Sequence, residues 1–301
     1  MTQTQTSVRS ANSKALVVEG GAMRGIFAAG VLDAFLEHDY QPFWRAYGVS
    51  AGSTNLIGYL AGDHGRNRKI ITGHACQPDF IDWKRFARGG HLCDVRWLWS
   101  QSFADVPLNL ENYLSGTTEL WVTTTSARTG KAHYFRIDER NMHDVFTASC
   151  AIPIAYRDYP EINGEPMTDG GVADAIPVIR AYDDGARDIT VVLSRPPGYR
   201  KKPPRFPSVP KRLFREYPAL SEATLLRPER YNATLEFIQN PPEDCRIRVI
   251  APPEDFPVGR LTRKPALLEL GYQQGYEAGL HYLNSISPSL TTGTTPAPAV
   301  P

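Results

Sequence analysis

The chain has 301 residues, 42% of them apolar and 22% charged, so it can bury one large globular core or two small ones. A net charge of +1 supplies no global attraction to nucleic acid. Four scattered cysteines, Cys76, Cys93, Cys150 and Cys245, form no C-x-x-C pair and argue against a zinc site or disulfide framework. The polar start lacks a signal-peptide core, and no stretch approaches the roughly 20 apolar residues of a membrane span, so a cytoplasmic location is expected.

Residues 1–13 read as a disordered N-terminus. Ala15-Leu16-Val17-Val18 is a short continuous apolar run, the pattern of a strand buried on both faces. After the turn Gly20–Gly25, Ile26–His38 predicts a helix carrying Ile26, Phe27, Val31, Leu32, Phe35 and Leu36. Ala46–Val49 predicts a second strand and Ala51–Ala61 a second helix. That alternation implies an α/β fold with parallel strands and covering helices. Residues 63–118 include Trp83, Phe86, Trp97, Trp99 and Phe103 and predict several short helices over the core. Glu119–Ser126 and Ala132–Ile137 are strand-like, and His143–Ala151 is a short helix stopped by Pro153. Ile162–Met167 is rich in turn residues and leads into Thr168-Asp169-Gly170-Gly171. Ile189–Leu193 and Arg246–Ile250 are the later strands. Arg195–Arg215 is a basic, proline-rich run containing Arg200, Lys201, Lys202, Arg205, Lys211 and Arg212, and it opens a partly helical extension over 195–240. Residues 286–301 read as a disordered tail.

Two glycine-rich stretches carry the chemistry. Gly48-Val49-Ser50-Ala51-Gly52 has the G-x-S-x-G form, which sets a serine on a sharp strand-to-helix turn with its hydroxyl exposed. Small residues in this pattern also serve ordinary strand–helix packing, but the strand before and the helix after favour a nucleophile. The helix N-terminus directs its dipole toward Ser50. A Ser-His-Asp hydrolase fits poorly. Its elbow needs several preceding strands, and His133, His143 and His281 lie in nothing resembling a catalytic loop. Gly20-Gly21-Ala22-Met23-Arg24-Gly25 can present backbone N–H groups at a helix start. It is not a phosphate loop, because Ile26 and Phe27 follow Gly25 where Lys and Ser/Thr are needed. Read as a dinucleotide fingerprint it carries Ala22 in place of the middle glycine, which leaves a nucleotide-binding α/β protein as an alternative.

Taken in order, Glu19-Gly-Gly-Ala-Met-Arg-Gly25, Gly48-Val-Ser-Ala-Gly52 and Asp169-Gly170 resemble the bacterial patatin-like phospholipases, as does Ala148-Ser-Cys-Ala-Ile-Pro153. The resemblance spans most of residues 15–193, with weaker support to about 285. It implies a three-layer α/β/α domain over 14–285 with a mostly parallel central sheet, acting as a serine lipid acyl hydrolase on lipid or ester substrates. It further implies a dyad of Ser50 as nucleophile and Asp169 as base, with Gly48, Gly52 and Gly170 supporting the turns. The oxyanion hole would come from Gly20, Gly21, Ala22, Met23, Arg24 and Gly25, with Gly21 and Ala22 the main donors. No metal or cofactor is required for this chemistry, because the chain supplies every part of acyl transfer. Standing alone, Asp169 would be a solvated turn residue.

The family loop carries a third consecutive glycine where this chain has Ala22. A methyl group there is compatible with a negative φ and uncomfortable with a positive one. This departure motivates a second alternative, a lipid-binding or regulatory protein of the same fold with an impaired site. Arg24 is expected to brace the loop by hydrogen-bonding carbonyls, with contact to an acidic head group as the other reading. The aromatic 80–103 region is a candidate acyl-chain pocket or an ordinary piece of core. The basic run 195–215 is a candidate for peripheral contact with an anionic membrane or a solvated loop.

Overall fold

The computed structural model describes residues 14–286; the segments 1–13 and 287–301, both read as disordered, lie outside the described residues. In chain order the first half contains β1 (Lys14–Val18), α1 (Gly25–Glu37), β2 (Arg45–Val49) and α2 (Ala51–Leu60). The short helices α3 (Arg66–Thr72), α4 (Trp83–Ala87), α5 (Val95–Asp105) and α6 (Leu110–Ser115) follow, then β3 (Glu119–Ser126), β4 (Ala132–Arg136) and α7 (Met142–Cys150). The second half contains β5 (Glu161–Ile162), β6 (Glu165–Asp169), α8 (Val178–Asp183), β7 (Asp188–Val192), α9 (Ser208–Leu213), α10 (Pro218–Gln239), β8 (Arg246–Ile250) and α11 (Pro265–Ile286).

The strands form one sheet in the order β5-β6-β3-β2-β1-β7-β8, with β4 also paired to β3. The five strands β3, β2, β1, β7 and β8 are mutually parallel, while β4 and β6 run antiparallel to β3, and β5 antiparallel to β6. Alternation along the strands splits the core in two. Leu16, Val18, Ala46, Leu120, Val122 and Val192 pack under α1, α2, α7 and α11. Ala15, Val17, Tyr47, Ile189 and Val191 pack under α8 and α10. The result is a three-layer α/β/α architecture, as the family resemblance implied.

The short helix α8 was not read from the sequence, and two further parts of the fold differ from that reading. The stretch 162–167, read as a turn, is a β-hairpin of β5 and β6, whose two connecting residues, Asn163 and Gly164, both have positive φ. This is the Asn-Gly hairpin chemistry that matches strand twist. The other is α11, which was likewise not read. It lies directly against α1 because Gly271, Gly275 and Gly279 recur every fourth residue along one face. A Cβ on Gly275 would lie 2.0 Å from Phe27 O, and one on Gly30 of α1 would lie 2.1 Å from Tyr272 O. The helices therefore touch backbone to backbone.

The reach of β3 positions the site. Its residues Glu119–Thr123 pair with β2, and Trp121–Thr125 pair with β4 on the opposite edge. β6 pairs with Thr124–Ser126, so it must use the β2 edge, beyond the point where β2 ends. Val49 pairs with Thr123 and Asp169 with Thr124. The last residue of β6 thus comes down beside the residue that follows β2. Among the described residues, no helix is long and apolar enough to cross a membrane.

Candidate active site

Ser50 follows β2 and caps α2 with φ +53° and ψ −131°, a conformation that costs a non-glycine residue about 1–3 kcal/mol. The surroundings hold it there. Its N–H donates to Ser149 Oγ at 2.9 Å, and Ser149 Oγ donates in turn to Thr123 O at 2.7 Å. The carbonyl of Ser50 accepts from Ser53 N at 2.9 Å and Ser53 Oγ at 2.6 Å. The two glycine turns nest into each other. A Cβ on Gly52 would lie 2.4 Å from Val18 O, and one on Gly20 would lie 2.8 Å from Val49 O. Gly48 meets the α2 backbone, where a Cβ would lie 2.5 Å from Ser53 Cα. Only glycine lets the ends of β1 and β2 approach so closely.

In the upstream loop, Arg24 N donates to Gly21 O and Met23 N to Arg260 O, while Gly25 N turns back onto Ala22 O and Met23 O. The N–H groups of Gly21 and Ala22 form no hydrogen bond among the described residues, and both residues line the same cavity as Ser50. Ala22 has φ +50°, so it is the strained case for a methyl-bearing residue. Arg24 is buried and braces the loop from below: its Nε donates to Ser194 O at 3.0 Å and its Nη2 to Ser194 Oγ at 3.1 Å. Ser194 Oγ then reaches Gly20 O at 3.2 Å. Asn55 Nδ2 donates to Gly25 O at 2.7 Å.

Asp169 is buried at the end of β6, where its Oδ1 accepts from Gly171 N at 2.7 Å. Its backbone N–H donates to Ala151 O, and its carbonyl accepts from Thr125 Oγ1. Gly170 is required because a Cβ would lie 2.2 Å from Thr123 O. Burial raises the Asp169 carboxyl above its ordinary value. Arg227, the Gly171 N–H, the Ser50 hydroxyl and Arg260 act in the opposite direction. The same hydroxyl interacts with the Cys150 thiol, which burial, reinforced by the Asp169 charge, keeps protonated.

Two cavities meet at Ser50. One, of about 280 Å³, is apolar and lined by Ile71, Phe80, Leu98, Trp99 and Phe146 among others. The aromatic 80–103 region therefore forms part of its wall, although Trp83 faces outward at 57% exposure. The other, of about 50 Å³, is polar and contains Asp169, Gly20, Gly21 and five basic side chains. Ala22, Ser50, Ile152 and Arg260 line both.

No histidine lines either cavity among the described residues. His143 Nδ1 instead accepts from Trp99 Nε1. Nor do the described residues hold a cluster of three or more His, Cys, Asp or Glu suited to a metal ion.

Sequence reasoning passed over Ser149, Ser194 and Glu19 as working residues. Glu19 Oε2 accepts from Ser194 N at 2.7 Å and its Oε1 accepts from Tyr231 OH at 3.0 Å, which ties the loop to α10. Ser149 and Glu19 stood inside quoted motifs, but their partners lie 99 and 175 residues away, and spacing carries no such signal. Of the basic run, Arg195 and Lys201 turn into the polar cavity, whereas Arg200, Lys202, Arg205, Lys211 and Arg212 face outward.

Comparison with known proteins bears on the family and the fold. A family profile described as patatin-like phospholipase matches residues 16–182, and a second, described as a domain of unknown function (DUF6363), matches residues 217–291. The uncharacterized protein YjjU of Escherichia coli (strain K12) is 34% identical over 287 residues, covering 92% of this chain and 79% of that protein. Among solved structures, VipD from Legionella pneumophila superposes with a TM-score of 0.50 at 14% identity, covering 91% of this chain and 67% of the other. That likeness speaks to the fold alone.

Proposed function

The chain belongs to the patatin-like phospholipase family, and from that premise we propose that it is a serine lipid acyl hydrolase of the phospholipase A, lysophospholipase or esterase type. The observation that carries the reading is the meeting, in one cavity, of a strained Ser50, a buried Asp169 and the two unpaired amides of Gly21 and Ala22.

In this reading Ser50 Oγ attacks the ester carbonyl carbon while its proton passes to the Asp169 carboxylate. The Gly21 and Ala22 N–H groups receive the developing oxyanion, and the α2 N-terminus adds its dipole. Collapse of the tetrahedral intermediate expels the alcohol, which takes the proton from Asp169 and leaves an acyl-Ser50. Water then attacks that ester, delivering a proton to Asp169. The second collapse returns this proton to Ser50 and frees the carboxylic acid. Burial suits Asp169 to this exchange because it brings the carboxyl closer to the pH at which it must both take and give a proton. The apolar cavity is suited to the acyl chain.

Hydrolysis of nitrophenyl butyrate tests the reading. Ser50→Ala is expected to lose about a thousandfold or more in kcat/KM, and Asp169→Asn about a hundredfold or more. A Ser50→Ala variant with unchanged activity overturns the mechanism. The second reading, an impaired lipid-binding protein, is favoured only by the positive φ of Ala22. It predicts that a fluorophosphonate leaves Ser50 of the folded protein unlabelled. A nucleotide-binding protein predicts thermal stabilisation by a dinucleotide, and none is expected.

A further inference from the structure

The polar cavity beside Ser50 holds more positive charge than its own carboxylates neutralise. Arg24, Arg195, Lys201, Arg227 and Arg260 line it, against Glu19 and Asp169. None of the five cations makes a salt bridge among the described residues. Glu19 is already committed to Ser194 N and Tyr231 OH. Two guanidinium nitrogens, Arg227 Nε and Arg24 Nη1, are shut away from solvent with no hydrogen-bond partner among the described residues. Buried charged donors are normally paired, and both of these side chains line the cavity, so cations short of acceptors converge there. Lys201 lies with its ammonium 3.8 Å from the centre of the Tyr231 ring. Burial, with Arg227, Arg260 and Arg24 adding repulsion, pushes its pKa down to about 7 although Glu19 opposes this.

We propose that this cavity is a phosphate subsite that selects acyl esters whose headgroup ends in a phosphomonoester, and this rests on the acyl-hydrolase reading of Ser50. Three features point to that chemistry. Guanidinium groups match phosphate oxygens geometrically, two donors to two acceptors. A phosphomonoester brings about −1.5 to −2 charges and several acceptor oxygens, which offsets more of the lining's excess of three positive charges than a singly charged diester would. The cavity, at about 50 Å³, has room for one such group. A headgroup capped by a quaternary ammonium would bring its own cation into the same ring of charges. Ser50 and Ala22 line both cavities, so an ester carbonyl at Ser50 sends its acyl chain to the apolar side and its phosphate to the basic side.

The test uses calorimetric titration of the full chain with inorganic phosphate and glycerol 3-phosphate, with glycerol as the neutral control. The Ser50→Ala protein, which does not turn over, is also titrated with palmitoyl-glycerol 3-phosphate and its choline-capped analogue. The phosphomonoester lipid is expected to bind at least about tenfold tighter than either inorganic phosphate or the capped lipid. Lys201→Gln and Arg260→Gln, the latter on the exposed rim, are each expected to weaken glycerol 3-phosphate by about tenfold, the loss of one charge-assisted contact.

No binding of either small phosphate overturns the proposal. Binding of inorganic phosphate that the lipid does not displace makes this a free-anion site and overturns the headgroup assignment. Equal affinity for the capped lipid overturns the phosphomonoester selectivity. The two readings fail separately. Phosphate binding by a protein that hydrolyses no ester removes only the hydrolase reading. Ester hydrolysis by a protein that binds no phosphate removes only this one.

Discussion

Replacing Ser149 by alanine tests whether the Ser50 conformation is held from behind. Ser149 is fully buried and lines neither cavity, yet its hydroxyl accepts the Ser50 N–H at 2.9 Å and donates to Thr123 O at 2.7 Å. Alanine leaves the buried Ser50 N–H without an acceptor, which costs about 1–3 kcal/mol. The expected fall in Tm is therefore about 4 °C, taking 2 kcal/mol as the centre of that range. The effect on rate is larger. Without its anchor, Ser50 relaxes from φ +53°, and an ångström of misplacement at the nucleophile costs about a hundredfold in kcat. KM for a short nitrophenyl ester should stay within about twofold, because both cavity walls are intact. The assay is steady-state kinetics on folded protein, beside a thermal melt. A kcat within twofold of the parent, with the Tm lowered as expected, refutes the reasoning: Ser149 would then support the fold and not the site.

Ala22→Gly removes a left-handed strain of about 1–2 kcal/mol and adds about 0.4–1 kcal/mol of unfolded-chain entropy, so a net gain near 1 kcal/mol and a Tm rise of about 2 °C are expected. A lower Tm would contradict the positive φ. Gly275→Ala drives a methyl into Phe27 O and should destabilise by about 3 kcal/mol in urea titration; a loss under 1 kcal/mol would show that α1 and α11 are not in backbone contact. Esterase activity should fall on acidification as Asp169 takes up a proton, at a pH above the ordinary aspartate value because burial raises it. Arg227 opposes that rise, so Arg227→Gln should move the acid limb of kcat/KM upward, and a downward move would sink the assignment. The sign for stability is the reverse. The raised carboxyl contributes stability that is present below its unfolded value and lost as pH rises through its folded one.

The parallel core was legible because β1 holds the continuous apolar run Ala15–Val18, and β1 and β2 are each followed by a helix with its own period. The glycine turns were legible because steric need shows directly in residue type. Asp169 needed the family resemblance, since nothing local distinguishes it from a turn residue. Its place depends on β3 reaching past β2, a matter of pairing between distant segments. The hairpin was visible in Asn163-Gly164 but obscured by the shortness of β5, only two residues long. The helix α11 was hidden by its glycines, which weaken helix propensity and acquire a reason only when α1 lies against them. The basic cavity was the least legible, because its five cations come from four separate stretches of the chain.

The reach of β3 has a dynamic consequence. Val49, the residue before Ser50, and Asp169 pair with adjacent residues of one strand, Thr123 and Thr124 of β3, and no flexible connection lies between these pairings. They therefore belong to a single cooperative unit that opens only when the sheet opens. Amide hydrogen exchange along Thr123–Ser126 should proceed through global opening. On heating, activity and sheet structure should disappear in the same transition, since this pair has no way to drift apart while the fold survives.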